Sequence, residues 1–432
     1  MGEFIQPRVL KGFRDILPAD EQQRRATEAV LTRVLDLFGF VPIDTPILEY
    51  TDILLGKGGG ETDKQIFRFH DHGNRDVAMR FDLTVPFARF MAIHGNELPK
   101  PFKRYHIGKV FRGENTQRGR FREFVQCDFD IVGIDHAGAD AEILQLMQES
   151  ISSLGVDEFT IHVAHRGLFN RFLERIGVAK YSVDVLRVVD KLRKIGAEMV
   201  EDALSEIVGE EKAKRILDYI AGDEDFETTL RKLTVLVGGA CEETERLAET
   251  EKLLNSSVSK ERYILDPSIT RGLDYYTGVV FETFLSGLES YGSICSGGRY
   301  NDLASLYTKN VIPGVGASIG LDRLLAALSD LDKLPKPDSV QVSIFNLDES
   351  LLERYFEFAR RLRDSGISCE VSFENRKLSS QFKRAELIGA KYALICGEEE
   401  NQGGKVNLKH LDSRESENGI TLELAMKKIL AG

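Results

Sequence analysis

Alternation of polar and apolar residues within 121–132, strict from 125 to 131, is the feature that most constrains the fold of this 432-residue chain. Successive side chains of a β-strand point to opposite faces, so such a strand has one polar and one apolar face. The polar face is predicted to carry Arg122, Gln126, Asp128 and Asp130, and the apolar face Val125, Cys127, Phe129 and Ile131. Segments 77–85 and 103–112 show similar short alternation, which together predicts an antiparallel sheet.

The segment Arg80-Phe81-Asp82-Leu83-Thr84 is interpreted as part of a second strand of this sheet. The period of two then places Arg80, Asp82 and Thr84 together on a polar face. One such strand alone is most simply explained as a sheet with a solvated face. Two strands with clustered acceptors favour a polar cleft, so the sequence predicts a binding site on the sheet.

A proline-containing linker and a change of pattern divide the chain. Leu334-Pro335-Lys336-Pro337-Asp338 cannot continue a helix, because its prolines lack the amide hydrogen that a helix needs. Residues 1–333 are expected to form an α+β core, interrupted at about 168–258 by a Leu-, Glu-, Lys- and Arg-rich helical insertion. Residues 339–432 alternate strand and helix patterns, which predicts a small α/β domain.

Composition narrows the class of protein. The 69 acidic and 57 basic residues give a net charge of −12, which does not exclude RNA binding through local basic patches. No apolar run reaches the ~18 residues of a membrane span, and no secretory signal is visible, so a cytoplasmic protein is expected. The five cysteines form no C-x-x-C pair, which argues against a disulfide framework or a cysteine zinc site.

Several loop-like segments are candidates for ligand binding. The Arg112–Arg120 loop has three arginines, whose forked donors fit a polyphosphate or an RNA end, although an ordinary hairpin loop has the same composition. Gly56–Gly60 lacks the residue order of a P-loop and is expected to be a lid or turn. His70-Asp71-His72 has no third ligand nearby, so a polar turn and no structural metal are expected. Gly297-Gly298-Arg299-Tyr300 is interpreted as a turn into another element.

Five segments, in this order along the chain, resemble motifs of the class II histidyl-tRNA synthetases. Gly39–Glu49 is similar to the first class II motif, Phe111–Asp130 to the second and Gly314–Leu325 to the third. Arg271-Gly272-Leu273-Asp274-Tyr275-Tyr276 and Ser296–Tyr300 resemble two segments characteristic of the histidine enzymes. The resemblance spans nearly the whole chain.

The resemblance implies a class II catalytic domain at 1–333 and a C-terminal α/β anticodon-binding domain. It further implies a homodimer that uses histidine, ATP with Mg²⁺ and tRNA(His), and neither DNA nor a membrane. The residues expected to act in catalysis are Arg112, Arg271 and Arg323. Those expected to bind histidine are Asp82, Thr84, Arg112, Gln126, Asp130, Arg271, Tyr275 and Tyr276. Those expected to bind ATP are Arg112, Glu114, Arg120, Phe121 and Arg323.

The main alternative is a regulatory paralogue that binds histidine for feedback control of histidine synthesis. It shares the catalytic fold, so fold alone does not separate the two functions. The presence of Asp82, Arg271, Arg323 and a domain after Pro337 favours the synthetase, and the amino-acid pocket disfavours a non-catalytic RNA-binding protein. One departure is visible at 80–84, where common bacterial members have Arg-Pro-Glu-Gly-Thr and this chain has a carboxylate one methylene shorter.

Overall fold

The computed structural model describes residues 4–56, 65–223, 225–256, 262–270, 276–301, 303–336 and 340–431. The chain divides into two compact units, residues 1–335 and 336–432. The linker predicted at 334–338 stays a prediction, since Pro337 and Asp338 lie outside the described residues. Lys57–Gly60 of the predicted lid or turn lie outside them too. Among the helices in these ranges, none has the length and apolar character needed to cross a membrane.

The first unit is built on a mixed sheet. Its described strands are β1 Val41–Pro42, β2 Leu48–Tyr50, β3 Arg68–His70, β4 Asp76–Met79, β5 Phe102–Phe111, β6 Glu123–Val132, β7 Phe159–His165, β8 Tyr263–Leu265, β9 Val279–Leu285, β10 Cys295–Arg299 and β11 Gly314–Gly320. Within the described ranges, eight strands form one sheet in the order β1-β5-β6-β11-β10-β9-β7-β8, while β2, β4 and β3 form a smaller one. The larger sheet is antiparallel except where β1 pairs with β5 and β7 with β8.

Helices surround this sheet. Those described are α1 Pro18–Leu37, α2 Thr51–Leu55, α3 Thr84–His94, α4 Ala137–Ser152, α5 Arg166–Arg175, α6 Ser182–Val189, α7 Leu192–Ile195, α8 Ala197–Val208, α9 Glu210–Ile220, α10 Phe226–Val237, α11 Glu242–Leu254 and α12 Leu321–Asp330. The described part of 182–254 contains no strand, as its composition indicates. The limits of the insertion, 168 and 258, stay predictions.

The main hydrophobic core covers the apolar face of β6. Phe129 of β6, Leu31 of α1 and Met147 of α4 are fully buried in one cluster. Burying apolar surface is the dominant favourable term in folding, so the alternation along β6 fixes which face turns inward. The polar face of β6 is therefore left to line the opposite side of the sheet.

The strand predicted at 77–85 is wrong in its second half, because β4 ends at Met79 and the chain enters α3 at Thr84. The prediction of one sheet for the three segments is also wrong, because β4 pairs with β2 and β3 and not with β5 or β6. Arg80 turns away from Asp82, since its guanidinium donates to the carbonyl oxygen of Thr45 at 2.6 Å. Asp82 accepts a backbone amide from the first turn of α3 at 3.1 Å, as acidic residues do at helix starts. Arg80, Asp82 and Thr84 therefore do not lie on one face of a strand, contrary to the prediction from the sequence pattern.

The prediction of a turn at Gly297-Gly298-Arg299-Tyr300 is also wrong, because residues 295–299 form β10. Glycine inside a strand often marks a close approach of another backbone. A Cβ atom at Gly297 would stand 2.1 Å from the carbonyl oxygen of Gly316 on β11. The glycines are required by this strand contact and not by a turn.

The second unit is a separate α/β layer. Its described elements are β12 Val342–Ile344, α13 Leu352–Asp364, β13 Cys369–Val371, α14 Leu378–Leu387, β14 Tyr392–Ile395, α15 Glu398–Gln402, β15 Val406–His410, β16 Ser416–Ile420 and α16 Leu422–Ala431. The sheet order is β13-β12-β14-β15-β16, with the first three strands parallel. The alternation of strand and helix predicted the α/β class of this unit, but the antiparallel hairpin β15–β16 was not predicted.

Candidate active site

Strands β6, β11, β10 and β9 form the floor of a cavity of about 500 Å³. Asp130 on β6 lies directly opposite Gly316 on β11, and Gly316 lies opposite Gly298 on β10. A Cβ atom at Gly316 would stand 2.0 Å from Asp130 Oδ1. The missing side chain at position 316 therefore gives the Asp130 carboxylate its space.

The cavity brings together every predicted site residue that the structure describes. These residues are Asp82, Thr84, Arg112, Glu114, Arg120, Phe121, Gln126, Asp130, Tyr276 and Arg323. Arg271 and Tyr275 lie outside the described residues. Arg80 and Arg122, which the alternation placed on polar faces, are not among the described residues that line the cavity.

Three buried carboxylates, Asp82, Asp128 and Asp130, mark one end of the cavity. Burial raises the pKa of Asp82 to about 6 and that of Asp128 to about 7, and it also raises the pKa of Asp130. The charge of Arg104 opposes all three changes. Because these carboxylates outnumber the buried cation beside them, this end of the cavity is suited to a cationic ligand.

Arg104 on β5 is the buried partner of this cluster. Its side chain is fully buried, and Nη2 lies 2.6 Å from Asp130 Oδ2. Its guanidinium also lies 4.1 Å from the ring centroid of Phe87, within the range of a cation–π contact. The Tyr300 hydroxyl donates a hydrogen bond to Asp130 Oδ1. Both oxygens of Asp130 therefore have a fixed neighbour, which sets the orientation of the carboxylate.

Several acceptor atoms in the cavity are buried and have no hydrogen-bond partner among the described residues. They include Asp82 Oδ2, Gln126 Oε1 and Asp128 Oδ1. The amide nitrogen of Gln126 donates to the Ser318 hydroxyl at 2.7 Å, which leaves the amide oxygen as the free end. An unpaired buried acceptor costs about 1–3 kcal/mol. A ligand that brings N–H donors would remove this cost.

Arginines line the other part of the cavity. Arg112 follows β5, and its Nε donates to the Phe81 carbonyl oxygen at 2.9 Å. Its guanidinium lies 5.2 Å from the ring centroid of Phe124. Arg120 and Arg323 line the same space from the loop before β6 and from α12. Forked guanidinium donors match phosphate oxygens, so this part of the cavity is suited to a polyphosphate.

Phe121 lies beside the arginines, at the edge of the cavity. The guanidinium of Arg14 covers its ring at 3.8 Å from the centroid, and Arg14 also forms an ion pair with the buried Asp322. The carboxylate of Glu114 lies 3.6 Å from Arg112. An aromatic ring and a carboxylate acceptor next to a phosphate site are suited to a purine with an exocyclic amine.

The cavity is thus polarised, with carboxylates at one end and arginines at the other. Within the described ranges, no group of three or more His, Cys, Asp or Glu side chains is arranged to hold a metal ion. The arrangement can hold a cationic amino acid and a nucleoside polyphosphate end to end. It offers charge stabilisation and alignment, which are the main requirements of displacement at phosphorus.

Comparisons with known proteins agree with this geometry. The family model described as histidyl-tRNA synthetase matches residues 12–324, and a model of an anticodon binding domain matches residues 341–431. The chain belongs to the histidyl-tRNA synthetase family. The histidine–tRNA ligase of Treponema denticola is 51% identical over all of this chain and 99% of its own length. The ligase of Rhodopirellula baltica is 47% identical over 96% of this chain and 95% of its own length.

Solved structures give the same family and fold. The histidyl-tRNA synthetase of a Nostoc species has a TM-score of 0.88 and 31% identity, covering 99% of this chain and all of its own. These matches confirm the predicted class II fold, the C-terminal anticodon-binding domain and the aminoacyl-tRNA synthetase class. A Bacillus halodurans structure described as an ATP phosphoribosyltransferase regulatory subunit/histidyl-tRNA synthetase has a TM-score of 0.73 and 22% identity, which shows the fold alone. The regulatory alternative is not favoured.

Four residues of the cavity or its surroundings were absent from the predicted site. Asp128 was placed on the polar face of β6 but given no role, although the alternation already paired it with Asp130. Arg104 also lies in a segment with alternating residues, 103–112. Only the register of β5 on β6, however, shows that it is the neighbour of Asp130. Tyr300 lies in a segment of the family resemblance. Arg14 contacts Phe121 across 107 residues, and no local pattern signals such a contact.

Proposed function

We propose that the cavity binds L-histidine and ATP with Mg²⁺, forms histidyl-adenylate, and transfers histidine to tRNA(His). The observation that carries the proposal is the polarised cavity, with unpaired acceptors at one end and three arginines at the other, in a chain of this family. The histidine carboxylate attacks the α-phosphorus, the bond to the β-phosphate bridging oxygen breaks, and pyrophosphate leaves. No side chain acts as a nucleophile.

The carboxylate end is assigned to the amino acid. Asp82, Thr84 and Gln126 bind the α-amino group, and Asp130 with Tyr276 binds the imidazole. Burial supports this assignment, because ionised Asp82 and Asp130 become favourable when a cationic or N–H donor group replaces water. A pocket that hydrogen-bonds the ring also rejects analogues without its polar atoms, because its own groups would be left unpaired.

The arginine end is assigned to ATP. Arg112 contacts the α-phosphate and the histidine carboxylate, and its hydrogen bond to the Phe81 carbonyl supports this role by fixing the guanidinium. Arg120 and Arg323 bind the outer phosphates, and Mg²⁺ enters with ATP as part of the substrate. Glu114 accepts from the adenine amine, and Phe121 stacks on the purine. Arg14 already covers one face of the Phe121 ring, which leaves the other face to the base.

Arg271 and Tyr275 are assigned by resemblance alone, with Arg271 at the α-phosphate and Tyr275 at histidine. A fixed cation aimed at charge that builds in the transition state contributes more than one that only binds substrate. Arg271→His should therefore lower single-turnover adenylation by orders of magnitude and leave histidine affinity within a few-fold. Near-normal adenylation in this variant would remove the assignment.

The assay that tests the function is ATP–pyrophosphate exchange with and without histidine. A synthetase shows exchange that depends on histidine and on no other amino acid, and then charges tRNA(His). A regulatory paralogue binds histidine but shows no exchange. A non-catalytic RNA-binding protein shows neither histidine binding nor exchange.

We further propose a cytoplasmic homodimer. The segment that resembles the first class II motif carries large apolar side chains exposed to solvent, including Val41, Ile47 and Leu48, with Tyr50 next to them. Exposed apolar patches mark interaction surfaces, and twofold pairing is the commonest closed assembly. Sedimentation should give about twice the 48.5 kDa of the chain. A fully active monomer at high dilution would contradict the proposal.

A further inference from the structure

Asp128 is the buried carboxylate to which the proposed function assigns no contact. It lies on β6 between Gln126 and Asp130, points to the same face as both, and is 2% exposed. It lines the cavity, and its Oδ1 has no hydrogen-bond partner among the described residues. The other oxygen accepts from Thr84, so one acceptor of this buried carboxylate is left for a ligand that brings a donor.

The neighbours of Asp128 identify which part of the ligand it meets. Thr84 Oγ1 lies 3.5 Å from Asp128 Oδ2. Burial raises the pKa of Asp128, and repulsion from Asp130 and, to a smaller degree, from Asp82 adds to this effect. Asp82 and Thr84 are the residues assigned to the α-amino group. Asp130, by contrast, is directed by Arg104 and Tyr300. The contact with Thr84 therefore places Asp128 beside the residues assigned to the amino group.

An ammonium group has enough donors for the unpaired acceptors that no cation already pairs. An α-ammonium group has three N–H donors and no acceptor. Four buried acceptors of the cavity have no hydrogen-bond partner in the described residues, namely Asp82 Oδ2, Gln126 Oε1, Asp128 Oδ1 and Asp130 Oδ2. Asp130 Oδ2 is ion-paired with Arg104, which leaves the other three for the ligand. We propose that Asp128 accepts the third hydrogen bond from the α-ammonium group of the substrate, beside Asp82 and Gln126. This inference rests on the proposed function, because it requires an amino acid in the cavity.

The test compares two ligands that differ only in the amino group. L-Histidine and 3-(imidazol-4-yl)propionate share the ring and the carboxylate, but only histidine has the ammonium. Binding of each is measured by calorimetry on full-length wild-type protein, Asp128→Asn and Asp130→Asn. Asp128→Asn should weaken histidine about 10- to 100-fold, as expected for a hydrogen bond to a charged group, and leave the propionate within about twofold.

Asp130→Asn is the matched control, because Asp130 faces the ring that both ligands carry. It should weaken histidine and the propionate by the same factor. Equal weakening of both ligands by Asp128→Asn would overturn the inference, since it would show a contact to the ring or a purely structural role. Asp128→Ser is measured in parallel, so that the comparison stands if the Asn variant does not fold.

The outcomes also separate this inference from the proposed function. If wild-type protein binds no histidine and shows no histidine-dependent exchange, the proposed function fails. If wild-type protein binds histidine but Asp128→Asn binds it equally well, only the role of Asp128 fails. A preference for histidine over the propionate that is as large in Asp128→Asn as in the wild type would assign the ammonium to Asp82 and Gln126 alone.

Discussion

Replacing Arg104 with Met should destabilise the catalytic unit much more at pH 8 than at pH 5.5. Arg104 is fully buried, and its Nη2 lies 2.6 Å from Asp130 Oδ2, so the change removes the nearest buried cation from Asp128 and Asp130. Met has a similar unbranched shape and can keep the contact with Phe87. The expected loss of stability therefore reflects the removed charge more than a change in side-chain volume.

The dependence on pH follows from the pKa directions. Burial already raises the pKa of Asp128 from 3.8 to about 7 and raises that of Asp130, while Arg104 lowers both. Without Arg104, both pKa values rise further in the folded state and keep their ordinary values in the unfolded chain. A carboxyl group whose pKa is raised by folding loses stability as the pH rises through that value. The loss of stability caused by Arg104→Met is therefore small at pH 5.5, where Asp128 and Asp130 can be protonated at little cost. It is largest at pH 8.

Removing one member of a buried ion pair costs about 3–5 kcal/mol. At roughly 2 °C per kcal/mol for a large domain, the Tm of Arg104→Met should fall by about 6–10 °C at pH 8. Scanning calorimetry of the full-length protein at both pH values measures this. Arg104→Lys keeps the charge and should lose less, and adding Asp128→Asn to Arg104→Met should recover part of the loss. An equal fall in Tm at both pH values would refute the electrostatic explanation.

Three further predictions concern the cavity and the second unit. Gly316→Ala should raise the KM for histidine far more than that for ATP, because its Cβ would stand 2.0 Å from Asp130 Oδ1; equal changes in pyrophosphate exchange would contradict this. Phe121→Ala should raise the KM for ATP about tenfold through lost stacking while histidine binding measured without ATP is unchanged, and an unchanged KM for ATP would exclude the stacking role. A chain ending at Pro335 should keep histidine-dependent exchange and charge tRNA poorly, because the anticodon-binding match lies beyond it. A folded truncation that charges tRNA normally would show that the second unit has another role.

The sequence predicted the lining of the cavity best where one strand carries several of its residues. The shared face of Gln126 and Asp130 follows from alternation alone, because a strand returns to the same face every second residue whatever surrounds it. Their roles come from the family resemblance. The apolar positions of the same alternating segment predicted the core, where Phe129 of β6 is fully buried against the helices. Strand–helix alternation after 339 likewise predicted the α/β class of the second unit.

Alternation failed where a contact depends on another segment of the chain. Asp82 and Thr84 reach the cavity from the start of a helix, and the hydrogen bond from Arg80 to Thr45 ends the regular strand pattern. That bond joins residues 35 positions apart, so no period within 77–85 reveals it. The pairing of Arg104 with Asp130 similarly depends on strand register, which is set by the whole sheet. The family resemblance supplied Asp82 and Thr84 but gave no role to Arg104.

The floor of the cavity depends on residues that lack side chains. Gly316 lies beside Asp130, and Gly298 lies opposite Gly316; a Cβ atom at Gly298 would stand 2.8 Å from the Val279 carbonyl oxygen. In a sequence, such glycines suggest a turn, since glycine is the residue that permits unusual backbone angles. In the structure they stay within strands and remove bulk from one face, so three paired strands can support buried carboxylates and still leave room for a substrate. The same glycines therefore explain both the wrong turn prediction at 297–300 and the existence of the site.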